Sequence, residues 1–227
     1  MSSFFMVLSQ PGTVGPIVLS LKTACVVTPL LAIFGIGLGY SLGRWRSPLA
    51  SIVDFLITLP LIFPPIATGF LLLLLLGRRG PFGEILSHAF GLDIVFSFWG
   101  VSLASFVAGL PLIVKPVQAS LRREIGRYIE AAQILGKSRI TIFFRIVLPL
   151  LRKNIGVGLF LALARSMGDV GITLMLGGNI VGKTNTVSLE IYNAVFTGDY
   201  ERAFILVIIL GVVSLALVAA TRRLSAE

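Results

Sequence analysis

Five long apolar runs constrain this chain more than any other feature. They cover residues 16–43, 49–76, 94–114, 154–176 and 203–221, each close to or beyond the roughly 20 residues that a helix needs to cross the hydrocarbon core of a bilayer. The chain has little else: 56% of its 227 residues are apolar and 13% are charged, about half the charged share of an ordinary soluble domain. Inside a bilayer every backbone N–H and C=O must find a partner within the protein, so such runs fold as helices. The expected fold is therefore all-α, a polytopic membrane helix bundle with five transmembrane helices, forming a single domain over residues 1–227. The segments between the runs are too short for a soluble catalytic domain.

Charge orients the bundle. Lys and Arg number 19 against 10 Asp and Glu, a net +9, and in a membrane protein such an excess belongs to cytoplasmic loops and lipid headgroups rather than to nucleic acid. Nine basic residues lie in the loop 115–153, against Glu124 and Glu130. With five spans, that loop shares a side with Arg44, Arg46, Arg222 and Arg223, while the opposite side holds Arg78, Arg79, Lys183 and Arg202. The basic side is the cytoplasm, which puts the amino terminus outside and the carboxy terminus inside. Residues 1–14 contain no Lys or Arg and read as a short outer tail, not a cleavable signal. Glu190, Asn193 and Asp199 make the outer segment 177–202 too polar to cross, so an outward-facing surface helix is expected over 184–200. Cys25 stands alone, which excludes a disulfide framework. Gly35, Gly37 and Gly39 are expected to let a neighbouring helix approach the first span closely.

The loop after the third span, about 116–153, carries the most information. The third span is expected to stop at Lys115-Pro116. Leu121, Ile125, Ile129, Ala132 and Leu135 then fall on one face of a helix. Gly136 interrupts the pattern, and a second helix over 138–148, with Ile142, Phe143, Ile146 and Val147, is expected to stop at Pro149. The fourth span follows over 154–176. Basic residues on the polar faces would suit anionic headgroups. The wording of the loop points elsewhere: Glu130-Ala131-Ala132, three residues, Gly136, nine residues, then Ile146-Val147-Leu148-Pro149. This resembles the EAA coupling loop of ABC importer permeases at every position of its pattern.

The resemblance widens along the chain. Leu59-Pro60-Leu61-Ile62-Phe63-Pro64-Pro65 with Gly69, Gly77-Arg78-Arg79-Gly80, and Ala164-Arg165-Ser166-Met167-Gly168-Asp169 are similar to the membrane subunit of molybdate importers in its small five-span version, over about residues 20 to 222. Asp169 departs from the Glu expected there, and Leu151-Arg152-Lys153 from a repeated proline. The resemblance implies a type I ABC importer permease fold in a prokaryotic inner membrane, with the two-helix loop on the cytoplasmic side. It also implies two copies of this chain, two ATP-binding subunits that hold ATP and magnesium, and an extracytoplasmic molybdate-binding protein. Tungstate and sulfate, being tetrahedral dianions as well, are the alternative substrates.

Three further patterns bear on mechanism. Arg165 and Asp169 lie one turn apart near mid-span, where a lone charge costs at least ~2.5–3.5 kcal/mol, so they are expected to pair or to line a wet path. Pro60, Pro64 and Pro65 withdraw backbone donors and bend the second span, a bend that a translocation path can use; Pro111 acts similarly in the third. Lys22 and Asp54 sit near span ends, where snorkelling accounts for them. The stretch Gly177-Gly178-Asn179-Ile180-Val181-Gly182-Lys183-Thr184 fits G-x4-G-K-T, but a phosphate loop needs a preceding strand in a parallel sheet, so Gly177, Gly178 and Gly182 read as turn residues. A membrane enzyme would need a nucleophile beside a base, or a metal cluster around a residue such as His88. The sequence offers neither, so no catalytic residue, metal site or bound cofactor is assigned to this chain.

Overall fold

The computed structural model describes residues 11–45 and 47–226; most of the expected outer tail, together with Arg46 of the basic turn, lies outside the described residues. Helices follow one another as α1 (Pro11–Arg44), α2 (Pro48–Ile62), α3 (Pro65–Leu76), α4 (Pro81–Phe90), α5 (Phe98–Ser120), α6 (Gly126–Ile134), α7 (Arg139–Ile142), α8 (Leu148–Met167), α9 (Gly171–Gly177), α10 (Val187–Phe196) and α11 (Tyr200–Ala226). No strand occurs among the described residues. Gly12–Arg44, Phe98–Arg123 and Arg139–Met167 are each long and apolar enough to cross a membrane unaided. The all-α membrane bundle expected from the apolar runs is what forms.

α5 is the centre, packed between α1 and α8. Lipid tails are as apolar as the side chains, so close van der Waals contact, not water exclusion, must hold these helices together. The seam with α1 uses glycines one turn apart. A Cβ added to Gly35, Gly39 or Gly43 would run into Ile113, Val117 or Leu121 respectively, whereas Gly37 has nothing within 4 Å and makes none of the contact expected of it. On the opposite side, Gly158 of α8 brings its own backbone against Ile113. Val27, Leu31, Ile113 and Ala162 are fully buried along these seams.

The spans differ from five simple rods in ways that have local causes. The second is broken between α2 and α3: Phe63 is extended (φ −78, ψ 147) ahead of Pro64 and Pro65, as residues before proline prefer to be. The stop expected at Lys115-Pro116 does not occur, because α5 is clamped on both sides and runs on through a wide π-helical turn (Leu121–Ile125) into α6. Likewise α7 passes through a second π turn (Phe143–Val147) into α8, and Pro149 lies inside the helix instead of ending it. A wide turn just before a proline relieves the clash between its ring and the carbonyl four residues back. The fourth span ends at Met167, and after a break α9 completes it.

Residues 82–90, left unassigned by hydropathy, form α4. Pro81 occupies its first turn, Gly91 (φ +62) closes it, and it turns 47° away from α3. The helix expected over 184–200 exists as α10, but only its second half lies on the surface: Val187, Ser188, Leu189 and Glu190 are buried, between α1 and α11, while Tyr192, Val195 and Phe196 are exposed.

Candidate functional sites: the helical hairpin, the broken spans and the outer segment

α6 and α7 form the tip of a helical hairpin whose arms are direct continuations of α5 and α8. Gly136 closes α6 in the left-handed region (φ +71), with Lys137 N–H donating to Ala132 C=O (3.1 Å) and Gly136 N–H to Gln133 C=O (3.0 Å). That is the Schellman arrangement, which satisfies the last carbonyls of a helix. Ser138 then caps α7, its Oγ accepting from Thr141 N–H at 3.2 Å. The arms zip together through Leu121, Ile125, Ile129, Ala132, Ile142 and Val147, all buried. Ala131 is exposed beside buried Ala132, Ile146 and Leu148 are half-buried, and Pro149 is exposed. Leu135, expected on the packed face, is instead 76% exposed, next to Ile134 at 87% and Ile140 at 73%. Glu130 is exposed and takes no part in any ion pair among the described residues. The tip thus presents an apolar patch, a free carboxylate and the bases Lys137 and Arg139.

Two ion pairs lie within the spans. Arg165 and Asp169 meet, as their spacing suggests, with Nη1 3.2 Å from Oδ1. The Asp169 side chain is fully buried, and its second oxygen accepts from Ile172 N–H (3.0 Å), Thr173 N–H (3.0 Å) and Thr173 Oγ1 (3.1 Å). It therefore caps the first turn of α9, a task suited to a short carboxylate. Arg165 keeps 32% of its side chain exposed, which at mid-span calls for a wet path or a second polypeptide beside it. α9 packs against α3 at its two close-approach glycines: a Cβ on Gly69 would lie 2.9 Å from Ile172 Cα, and one on Gly171 2.6 Å from Pro65. The structure therefore gathers Pro64, Pro65, Gly69 and Asp169 around one break, while Pro60 stays within α2.

The second pair escaped sequence reading. Asp54 does not snorkel: its Oδ1 accepts from Lys115 Nζ (2.8 Å) and Gln118 Nε2 (2.9 Å), tying α2 to α5. The partners lie 61 and 64 residues away in the chain, a separation no local pattern reports.

On the far side of the bundle, Gly177 is the last residue of α9 and the next residues form a tight turn, with Gly178 (φ +74), Asn179 (φ +51) and Gly182 (φ +76) in the left-handed region. A helix, not a strand, precedes this turn, so the resemblance to a phosphate loop is one of letters only. Glu190 is buried against Arg202, with Asn185 and Asn193 donating to its Oε2. On the surface nearby, Arg78 clasps Asp93 through Nε (3.0 Å) and Nη2 (2.5 Å), which holds the Asp93 carboxyl below the usual carboxylate range and raises Arg78.

Residues 35–226 match the family described as binding-protein-dependent transport system inner membrane component. The chain is 36% identical over 226 residues to the molybdenum transport system permease protein ModB of Escherichia coli (strain K12), covering 98% of both chains. It is 39% identical over 171 residues to the protein of the same name from Haemophilus influenzae, covering 74% of this chain and 75% of that one. Among solved structures, a bacterial alginate ABC transporter in complex with an alginate pentasaccharide-bound periplasmic protein superimposes with a TM-score of 0.76 at 20% identity, over 98% of this chain and 82% of that chain, a likeness of fold. A polytopic helix bundle and a match over most of its length make this chain a member of the binding-protein-dependent transport system inner membrane component family.

Proposed function

We propose that this chain is the membrane-spanning permease subunit of an ATP-driven molybdate importer. In this reading two copies form the pathway, two ATP-binding subunits with their ATP and magnesium sit beneath them in the cytoplasm, and an extracytoplasmic molybdate-binding protein delivers substrate from outside. The similarity along nearly the whole chain to molybdenum permeases supports the substrate. The observation that carries the mechanism is the hairpin tip, where Ile134, Leu135 and Ile140 stand exposed beside the free Glu130. Such a tip needs a protein cleft, with a basic residue to meet Glu130. Because the arms are continuous with α5 and α8, a push on the tip reaches the bundle directly, so closure and reopening of the ATPase pair drive alternating access.

Glu130, Ala131, Ala132, Gly136, Ile146, Leu148 and Pro149 are the coupling residues in this reading. Arg165 lines the route, its charge balanced by Asp169, and the break at Pro64, Pro65 and Gly69 lets helix halves move. A balanced arginine holds a passing dianion weakly, which favours release. The hairpin and the carboxy terminus face the cytoplasm, and the amino terminus faces outward.

Co-expression with the ATPase tests the reading. The wild-type chain should bring down a soluble ATPase, and Glu130→Lys should weaken that association by about tenfold or more, ~1.4 kcal/mol, without changing the amount of folded permease. Failure of the wild type to retain any ATPase would overturn the importer. Greater stimulation of the reconstituted complex by sulfate than by molybdate would overturn the substrate.

A further inference from the structure

α2 is only lightly committed to the bundle. Ala50 is its only buried residue among those described, packed with Leu42 and Val114. Ile52, Phe55, Leu56 and Ile62 are each more than half exposed. One end is free to bend, because the chain is extended at Phe63 and prolines follow it. Beside that small apolar cluster, to which Val53 and Ile57 add, a polar tie holds α2 to α5: Asp54 accepts from Lys115 and Gln118 on a single oxygen. Both donors lie in the last turns of α5, immediately before the π turn that starts the hairpin. In that π turn, Arg122 donates to Leu42 C=O of α1 at 3.0 Å. An open cavity of about 770 Å³ borders Asp54, Lys115 and Arg122, so α2 has space beside it.

From these contacts we infer that Asp54 is a positioning residue for transport: it makes α2 follow the root of the hairpin, so that work delivered at the tip moves the bent half-span and not the hairpin alone. A pair that is about one-third exposed on each partner can break and re-form as α5 shifts, which a fully buried pair could do only at high cost. The proline break supplies the pivot, and the cavity supplies the travel. This inference rests on the importer reading.

The test uses the complete complex with its ATPase subunits and binding protein, reconstituted in liposomes, with molybdate uptake and ATP hydrolysis measured together. Asp54→Asn keeps the size of the side chain and removes its charge. Uptake per ATP should fall by roughly tenfold, within the usual range of coupling between sites, while hydrolysis persists. The double variant Asp54→Lys with Lys115→Asp should restore uptake. In a Cys25→Ser background, spin labels placed at Ile52 and on the membrane face of α5 should keep a fixed separation through the ATP cycle in the wild type and lose it in Asp54→Asn. Unchanged uptake per ATP, a parallel fall of uptake and hydrolysis, or labels that stay in step without the carboxylate would each overturn the inference. A wild-type complex that hydrolyses ATP without moving molybdate would overturn the importer reading instead.

Discussion

Glu130 and Glu190 carry the same carboxylate in opposite circumstances. Glu130, at the hairpin tip, is exposed and unpaired, held on a helix whose packed face is made by Ile129 and Ala132. Glu190, in the outer segment, is buried, paired with Arg202 and bonded by Asn185 and Asn193. A charge fully satisfied within its own chain stabilises that chain; one left free while its neighbours are fixed is available to another. The hairpin packs through its apolar arms and leaves its carboxylate free at the surface, whereas the outer segment turns its carboxylate inward and uses it to join α10 to α11.

The contrast can be broken most forcefully at Glu190. Glu190→Ala strands the mostly buried Arg202 without a counter-charge, at a cost of about 3 kcal/mol, seen as a lower Tm in detergent, while Glu130→Ala should leave Tm where it was. Equal Tm for both variants would defeat the comparison. Gly136→Ala sharpens it: a Cβ there meets nothing within 4 Å, so the cost is only that of holding a left-handed backbone (φ +71), about 1 kcal/mol. The expected result is weaker retention of the ATPase with little change in unfolding of the bundle; normal retention would mean the tip tolerates a different turn. The smallest effect belongs to Asp93, an exposed surface carboxylate. Its folded-state pKa is lowered by Arg78 from an ordinary 3.8, so its stabilising contribution is present above that value and lost as pH falls through the lowered one. The Tm difference between wild type and Asp93→Asn should be small near neutral pH, vanish in acid, and shrink with added salt; a difference that grew in acid would reverse the assignment.

Local order was legible where one stretch of chain contains its own cause. The EAA spacing places Glu130, Gly136 and Pro149 on a hairpin, the Arg165-x-x-x-Asp169 interval anticipates its ion pair, and Pro60, Pro64 and Pro65 anticipate a bend in the second span, which falls at Phe63-Pro64 and leaves Pro60 inside α2. Lys115-Pro116 and Pro149 do not stop their helices as a proline's local tendency predicts, because packed neighbours and wide turns carry the helix past them. α4 was missed because ten residues with a mixed surface give no transmembrane signal. The burial of the first turn of α10 is not legible locally, because the partners that satisfy Glu190 there include Arg202, on the next helix. Asp54 shows the limit most clearly: nothing within twenty residues of it announces Lys115 or Gln118.

The glycine seam between α1 and α5 has a mechanical consequence. At Gly35, Gly39 and Gly43 the side chains of Ile113, Val117 and Leu121 seat directly on the backbone of α1, knobs in a row of notches that keep one helix from sliding on the other. With α8 gripped on the opposite side, these three rods form a stiff chassis that can tilt only as a unit. Flexibility is thereby confined to the pieces hung from it, and a cycle of opening and closing need never repack the main interface.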